Sequence, residues 1–178
     1  MAGLGALAVT GPASAGPLTS SASALNQEAD AALARLYAAS PKARELAARS
    51  RAVLIFPKII KAGFMIGGQT GDGVMRIHGR PVGYFNTSAA SFGMQAGAQT
   101  FSYALFFITQ SSLDFLARSN GWQIGTGPSV VLIDKGLART LNTTTLTQDV
   151  YAMIFGQKGL MGGLGIEGSK ITRIQPGP

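Results

Sequence analysis

The sequence predicts an α+β protein: a Gly-rich antiparallel β-sandwich or partly closed barrel, with two N-terminal helices and one short internal helix. Three observations predict it. Apolar residues recur at helical spacing only up to about Ala52, whereas short β-branched and aromatic runs separated by Gly- and Pro-bearing turns fill the rest. Glycine accounts for 24 of 178 residues, which suits tightly packed strands and opposes a helical bundle, where each interior glycine costs about 1 kcal/mol. Charged residues are only 13%, well below the usual quarter or so, so most strands present little charge on either face.

The chain is long enough for one domain with a sizeable core. Residues 1–15 read as the tail of an export signal: AGLGALAV is a short apolar run, and Ala13-Ser14-Ala15 fits the small-x-small cleavage pattern. With the Ser/Pro/Ala-rich residues up to 23 they form a leader and linker, and residues 24–178 form a single domain. Export to the periplasm or envelope of a bacterium is the expected location. No stretch has the roughly 20 predominantly apolar residues of a spanning helix, since polar residues interrupt the uncharged run Pro81–Leu113.

Residues 24–39 predict an amphipathic helix, with Leu25, Ala29, Ala32, Leu33 and Leu36 on one side. Ser40-Pro41 supplies a cap and a first-turn proline for a second helix over 41–52. Val53–Phe56 reads as a short β-run ended by Pro57, which cannot donate a ladder hydrogen bond. Gly63–Gln69 and Gly73–Ile77 read as strands joined by a turn at Thr70-Gly71-Asp72, with a second turn at His78–Pro81. Further strands are expected at Val82–Asn86, Ser88–Gln99, Phe101–Thr109, Trp122–Gly127, Ser129–Ile133, Val150–Phe155 and Ile166–Ile174, with a short helix at Ser111–Ser119. Residues 140–147 read as an exposed or edge strand, or a loop.

Charge is concentrated in one place. Between positions 42 and 61, Lys42, Arg44, Arg49, Arg51, Lys58 and Lys61 face only Glu45, so this stretch carries +5 of the net +7. At about 100° per residue, Ala43, Leu46, Ala47 and Ser50 share one face of the second helix, bordered by Lys42 and Arg49 on one side and Arg44 and Arg51 on the other. Taken alone, this reads first as a core-facing helix with solvated flanks, and second as a ridge whose long basic side chains could reach acidic headgroups.

Catalytic chemistry has little to stand on. Cysteine is absent, which excludes disulfides, thiolate metal sites and Cys nucleophiles. The single histidine, His78, lies in a predicted turn, the acids are scattered, and no nucleophile-elbow pattern occurs. Gly163–Gly168 matches the dinucleotide fingerprint, yet only ten residues follow, too few for its βαβ unit. Phe101, Tyr103, Phe106, Phe107 and Phe115 fall in low-charge runs and read as core rather than a base-stacking platform, so nucleic acid is not expected as a partner.

Four blocks carry a resemblance. LIFPKIIKAGFMIGGQTGDGVM (54–75), SFGMQAGAQTFSYALFFIT (91–109), GWQIGTGPSVVLID (121–134) and QKGLMGGLGIEGSKITRI (157–174) look like successive blocks of the SYLF lipid-binding domain family, in the family's order. The resemblance covers about residues 25–174. It implies a binding domain and not an enzyme, with no cofactor or metal. It further implies phosphoinositide or other anionic phospholipid headgroups as ligand, held by a basic amphipathic N-terminal helix and adjacent lysines. The matching positions here are the helix at 41–52, with Lys42, Arg44, Leu46, Arg49 and Arg51, and the pair Lys58 and Lys61. On this reading Leu46, with Leu54 or Phe56, would supply shallow insertion. Some fungal relatives bind actin, but this chain lacks their added modules and actin is not expected. The alternative is an envelope structural protein that binds a protein or polymer through its β-surface.

Overall fold

Ser21 opens the first helix, its hydroxyl accepting the Ala24 N–H at 3.2 Å. The computed structural model describes residues 21–178 apart from 65, 93–96, 134–136, 138, 140, 142–145, 160–164 and 167. The expected leader, most of 140–147 and part of the Gly159–Gly168 stretch therefore lie outside the described residues. Because Ser21 is the cap, helix α1 spans Ala22–Ala39 and begins two residues before its expected start. Ser40 ends α1 and caps α2 (Pro41–Arg49) through its hydroxyl and the Ala43 N–H. Helix α2 is shorter than the expected 41–52. The Ser50 hydroxyl donates to the Leu46 carbonyl, and the Arg51 N–H already donates to Phe107, so the chain has joined the sheet there.

Strand β1 runs Ala52–Phe64, straight through the proline that was expected to end it. Its pairing with β4 jumps from Phe56 opposite Tyr103 to Ile59 opposite Phe101, a one-residue bulge that takes Pro57 out of the ladder. The Ser102 hydroxyl donates to the Pro57 carbonyl at 2.7 Å, so the bulge leaves that group satisfied. Strand β2 is likewise unbroken over Ile66–Ile77, which overturns the expected turn at Thr70–Asp72. Glycine is needed there for space: a Cβ on Gly73 would lie 2.6 Å from the Phe56 ring, and one on Gly71 2.6 Å from Ile59. The turn expected at His78–Pro81 tightens to His78-Gly79, because Arg80 and Pro81 already pair with Ile77 and Arg76; φ of 50° and 76° suits a two-residue hairpin of type I′.

The remaining elements are β3 (Arg80–Phe92), β4 (Gly97–Phe107), α3 (Gln110–Arg118), β5 (Trp122–Gln123), β6 (Val130–Leu132), β7 (Val150–Gly159) and β8 (Lys170–Ile174). They make one eight-stranded sheet in the order β5-β8-β3-β2-β1-β4-β7-β6, curled into a half-barrel. A single curled sheet replaces the sandwich alternative. It is mixed rather than purely antiparallel, because β6 pairs parallel to β7 after a crossover.

Side-chain contacts across the interior show the curl. Trp122 of β5 and Phe107 of β4 have ring centroids 6.0 Å apart although four strands separate them. The Tyr103 hydroxyl of β4 donates to Thr87 of β3 at 2.7 Å across two intervening strands. This inner core includes Leu54, Phe56, Ile59, Phe101, Tyr103 and Trp122. The outer face packs Ile55, Val74 and Phe106 against Leu25, Leu33 and Leu36 of α1 and Leu46 of α2. The Arg76 guanidinium fastens α1 to β2, donating to Asp30 and to the Asn26 carbonyl. Of the five aromatics expected in the core, Phe101, Tyr103, Phe106 and Phe107 are buried, while Phe115 is 40% exposed on α3.

Asp149 ties three elements together at the start of β7. Its carboxylate accepts from the Ser129 N–H at 3.0 Å, the Thr109 hydroxyl at 2.9 Å and the Ser129 hydroxyl at 3.1 Å. The Ser129 backbone donor, then Thr109, hold its carboxyl below the usual carboxylate range, against a smaller opposing effect of burial. A depressed folded pKa contributes stability above the unfolded value and loses it as pH falls through the folded one. Asp149→Asn is therefore expected to destabilise the protein near neutrality by about 1 kcal/mol, discounted for partial exposure. That difference from wild type should shrink below about pH 4 in urea titrations, since only the wild type has a charge to lose there.

Candidate functional site

The cations of residues 42–61 do not converge. Lys42 Nζ pairs with Glu45 Oε2 at 3.1 Å on α2. The Arg44 guanidinium lies 5.9 Å from the Tyr37 ring centroid. Arg49 and Arg51 line a cleft with His78, Ile108, Gln110 and Leu113, at the end of the sheet where β1 begins. Lys58 stands exposed at the β1 bulge, seven residues and about 23 Å of strand farther on. Lys61 is half-buried on the inner face, in one row with Gln69 and Gln99.

The side chains expected to insert into a membrane are buried. Leu46 is 2% exposed, and Leu54 and Phe56 are fully buried. The predicted face of α2 is real, but it covers the sheet, so the solvated-flank reading of this helix holds. None of these three side chains can reach a bilayer without unpacking a core.

What the fold does bring together lies on the outer face, beside the Glu28–Ala31–Arg35 flank of α1. Residues directly paired across strands project to the same side. The row Ser88–Thr70–Ile60–Thr100–Lys158 crosses β3, β2, β1, β4 and β7. The next row is Ala90–Gly68–Ala62–Ala98, and the last is Phe64 opposite Ile66. Ile60 is 47% exposed, Phe64 66% and Ile66 70%, and apart from Lys158 these described residues carry no charge.

Cations border this apolar surface on the helix side. Arg35 of α1, Lys58 of the bulge and Lys158 of β7 line one open cavity of about 580 Å3, with Glu28 as its one described acid. The bulge places Lys58 there. After the extra residue, Ile59 returns to the inner core and Ile60, Ala62 and Phe64 follow outward by strand alternation. Arg35 and Lys158 lie outside the basic stretch, and only pairing of β7 with β4 delivers Lys158 to Thr100. The alternation from Ile60 to Phe64 was a readable signal. It is missed when Pro57 is taken to end the strand.

Among the described residues, no three His, Asp or Glu side chains gather as metal ligands would. No helix among them is long and apolar enough to cross a membrane. Comparison of the chain with models of known protein families and with curated proteins finds no match.

Proposed function

We propose that this protein binds anionic phospholipid surfaces peripherally, in the cell envelope after export, with the outer face of the β1–β2 end of its sheet as the docking surface. The observation that carries this is the exposure of Ile60, Phe64 and Ile66 on one uncharged face bordered by Arg35, Lys58 and Lys158. Contiguous exposed apolar surface is uncommon on soluble monomers and marks interaction sites. A cation near an acidic membrane surface contributes up to about 1 kcal/mol, and apolar side chains add shallow insertion. The four blocks that resemble SYLF domains support the same reading. The mechanism differs from the one that resemblance implies, because sheet residues replace helix residues at the membrane.

Co-sedimentation with vesicles that contain or lack phosphatidylglycerol tests it. Binding is expected only with the anionic lipid and should weaken as salt rises. Reversing Arg35, Lys58 and Lys158 to Glu should reduce it roughly 100-fold at low salt or more, from the summed contributions. Arg44→Glu should leave it unchanged. Equal binding to neutral vesicles, or binding that survives the triple reversal, overturns the reading. A lipid-independent dimer or pull-down partner lost on mutating Phe64 and Ile66 would instead assign the face to a protein partner.

A further inference from the structure

At the other end of the sheet, two cavities adjoin. One, of about 260 Å3, lies between α3 and the β2–β3 hairpin and is lined chiefly by Met75, Ile77, Val82, Phe85, Leu113 and Leu116. The second, of about 420 Å3, is lined by Arg49, Arg51 and His78, with no carboxylate among its described lining residues. Ile77, Gln110 and Leu113 line both, so the apolar cavity lies directly against the basic one. Gly83 helps keep the first open: a Cβ there would lie 3.3 Å from the Phe85 ring and 3.1 Å from Arg173 Nη1.

The apolar cavity itself is lined by one acid and one cation, Asp114 and Arg173. Asp114 accepts from Gln110 Nε2 at 2.9 Å, and the Arg173 guanidinium lies 5.0 Å from the Phe85 ring centroid. The positive end is therefore the Arg49–Arg51 end, and the pair of cavities is polarised: apolar under α3, cationic at the start of β1.

We infer that the two cavities act as one cleft and bind a monomeric single-chain amphiphile with an anionic headgroup, of the fatty-acid class. The chain lies under α3 and the carboxylate faces Arg49 and Arg51. Charge complementarity selects this occupant, because a neutral apolar ligand would leave the two guanidiniums unused. Size selects one chain, since the apolar cavity is below the roughly 300–1,000 Å3 common for drug-sized ligands. The inference is independent of the membrane-docking surface, from which the strands separate it.

The test is displacement of a fluorescent fatty acid from the full-length protein, without vesicles, by decanoate and by decanol. Decanoate is expected to bind roughly tenfold more tightly than decanol, as a charged hydrogen bond discounted for exposure predicts. Arg49→Gln with Arg51→Gln should abolish that preference. Lengthening the chain should tighten binding by up to roughly fourfold per methylene until the cavity is full. Leu113→Trp should block binding in protein that melts like wild type. If that variant does not fold, Ala117→Trp, at an exposed cavity-lining position of α3, makes the same test. Phe64→Asp with Ile66→Asp should bind decanoate like wild type. Equal affinity for decanoate and decanol, no binding of either, or binding unaffected by the folded Trp variants overturns the inference.

Discussion

Replacing both Phe64 and Ile66 with Ala is expected to weaken binding to anionic vesicles by roughly 30- to 1,000-fold, with little change in melting temperature. Fully burying a large apolar side chain contributes about 1.5–3 kcal/mol. These two side chains are 66% and 70% exposed, so most of that surface is still available to a membrane. Together they should supply about 2–4 kcal/mol, which gives the stated range. Aspartate at the same positions should weaken binding further, because it adds repulsion from the acidic surface. The fold should tolerate either pair, since substitutions at solvent-exposed sites usually stay within about 0.5 kcal/mol. Vesicle titration combined with a thermal melt checks both halves. A lost melt transition would make the binding result uninterpretable, and unchanged binding by a folded variant would remove the surface from consideration.

Tyr103→Ala is expected to be the most damaging single substitution inside the half-barrel, at about 3–5 kcal/mol in urea denaturation. Tyr103 is fully buried, its ring centroid 4.7 Å from that of Phe56 and 6.4 Å from that of Phe101. Its hydroxyl bridges the curl to Thr87, and burial raises its pKa well above the ordinary phenol value. The neutral hydroxyl is thus the form present at any ordinary pH. Tyr103→Phe keeps the packing and removes only the donor to Thr87, so its cost should be about 1–2 kcal/mol. Since whole domains are stable by roughly 5–15 kcal/mol, the alanine variant should sit near the edge of folding. Near-equal costs for the two variants would mean that the hydroxyl bridge, not the ring packing, dominates.

Some of this architecture is legible in particular residues. Ser40-Pro41 announces the break between α1 and α2, and the three- and four-residue spacing of Leu25, Ala29, Ala32 and Leu36 announces the buried face of α1. His78-Gly79 announces its hairpin. The failures share a cause. Pro57 and the glycines at 71 and 73 look like strand breakers when read locally, because a proline without a donor and a residue without a side chain usually end strands. Here the bulge excuses the proline from the ladder, and Phe56 and Ile59 on either side of it fill the space that side chains at 71 and 73 would need. Each explanation lies on a neighbouring strand.

The candidate site follows the same division. Charge counting locates the basic stretch but not its partition, because alternation and a bulge decide which face a residue takes, and strand length decides how far it travels. Arg51, Lys58 and Lys61 are close in sequence yet occupy a cleft, an outer border and an inner row. Arg35 and Lys158 lie 123 positions apart and line one cavity.

By itself, the sequence determined the α+β class, the N-terminal helices with their buried faces, the short internal helix and the excess of positive charge, since each depends on local periodicity or on counting. Only the tertiary structure decided the curl of the sheet, the passage of β1 and β2 through residues that looked like stops, and which cations stand beside exposed apolar side chains. Those features arise from pairing between residues far apart in the chain, and no local pattern encodes a partner's position.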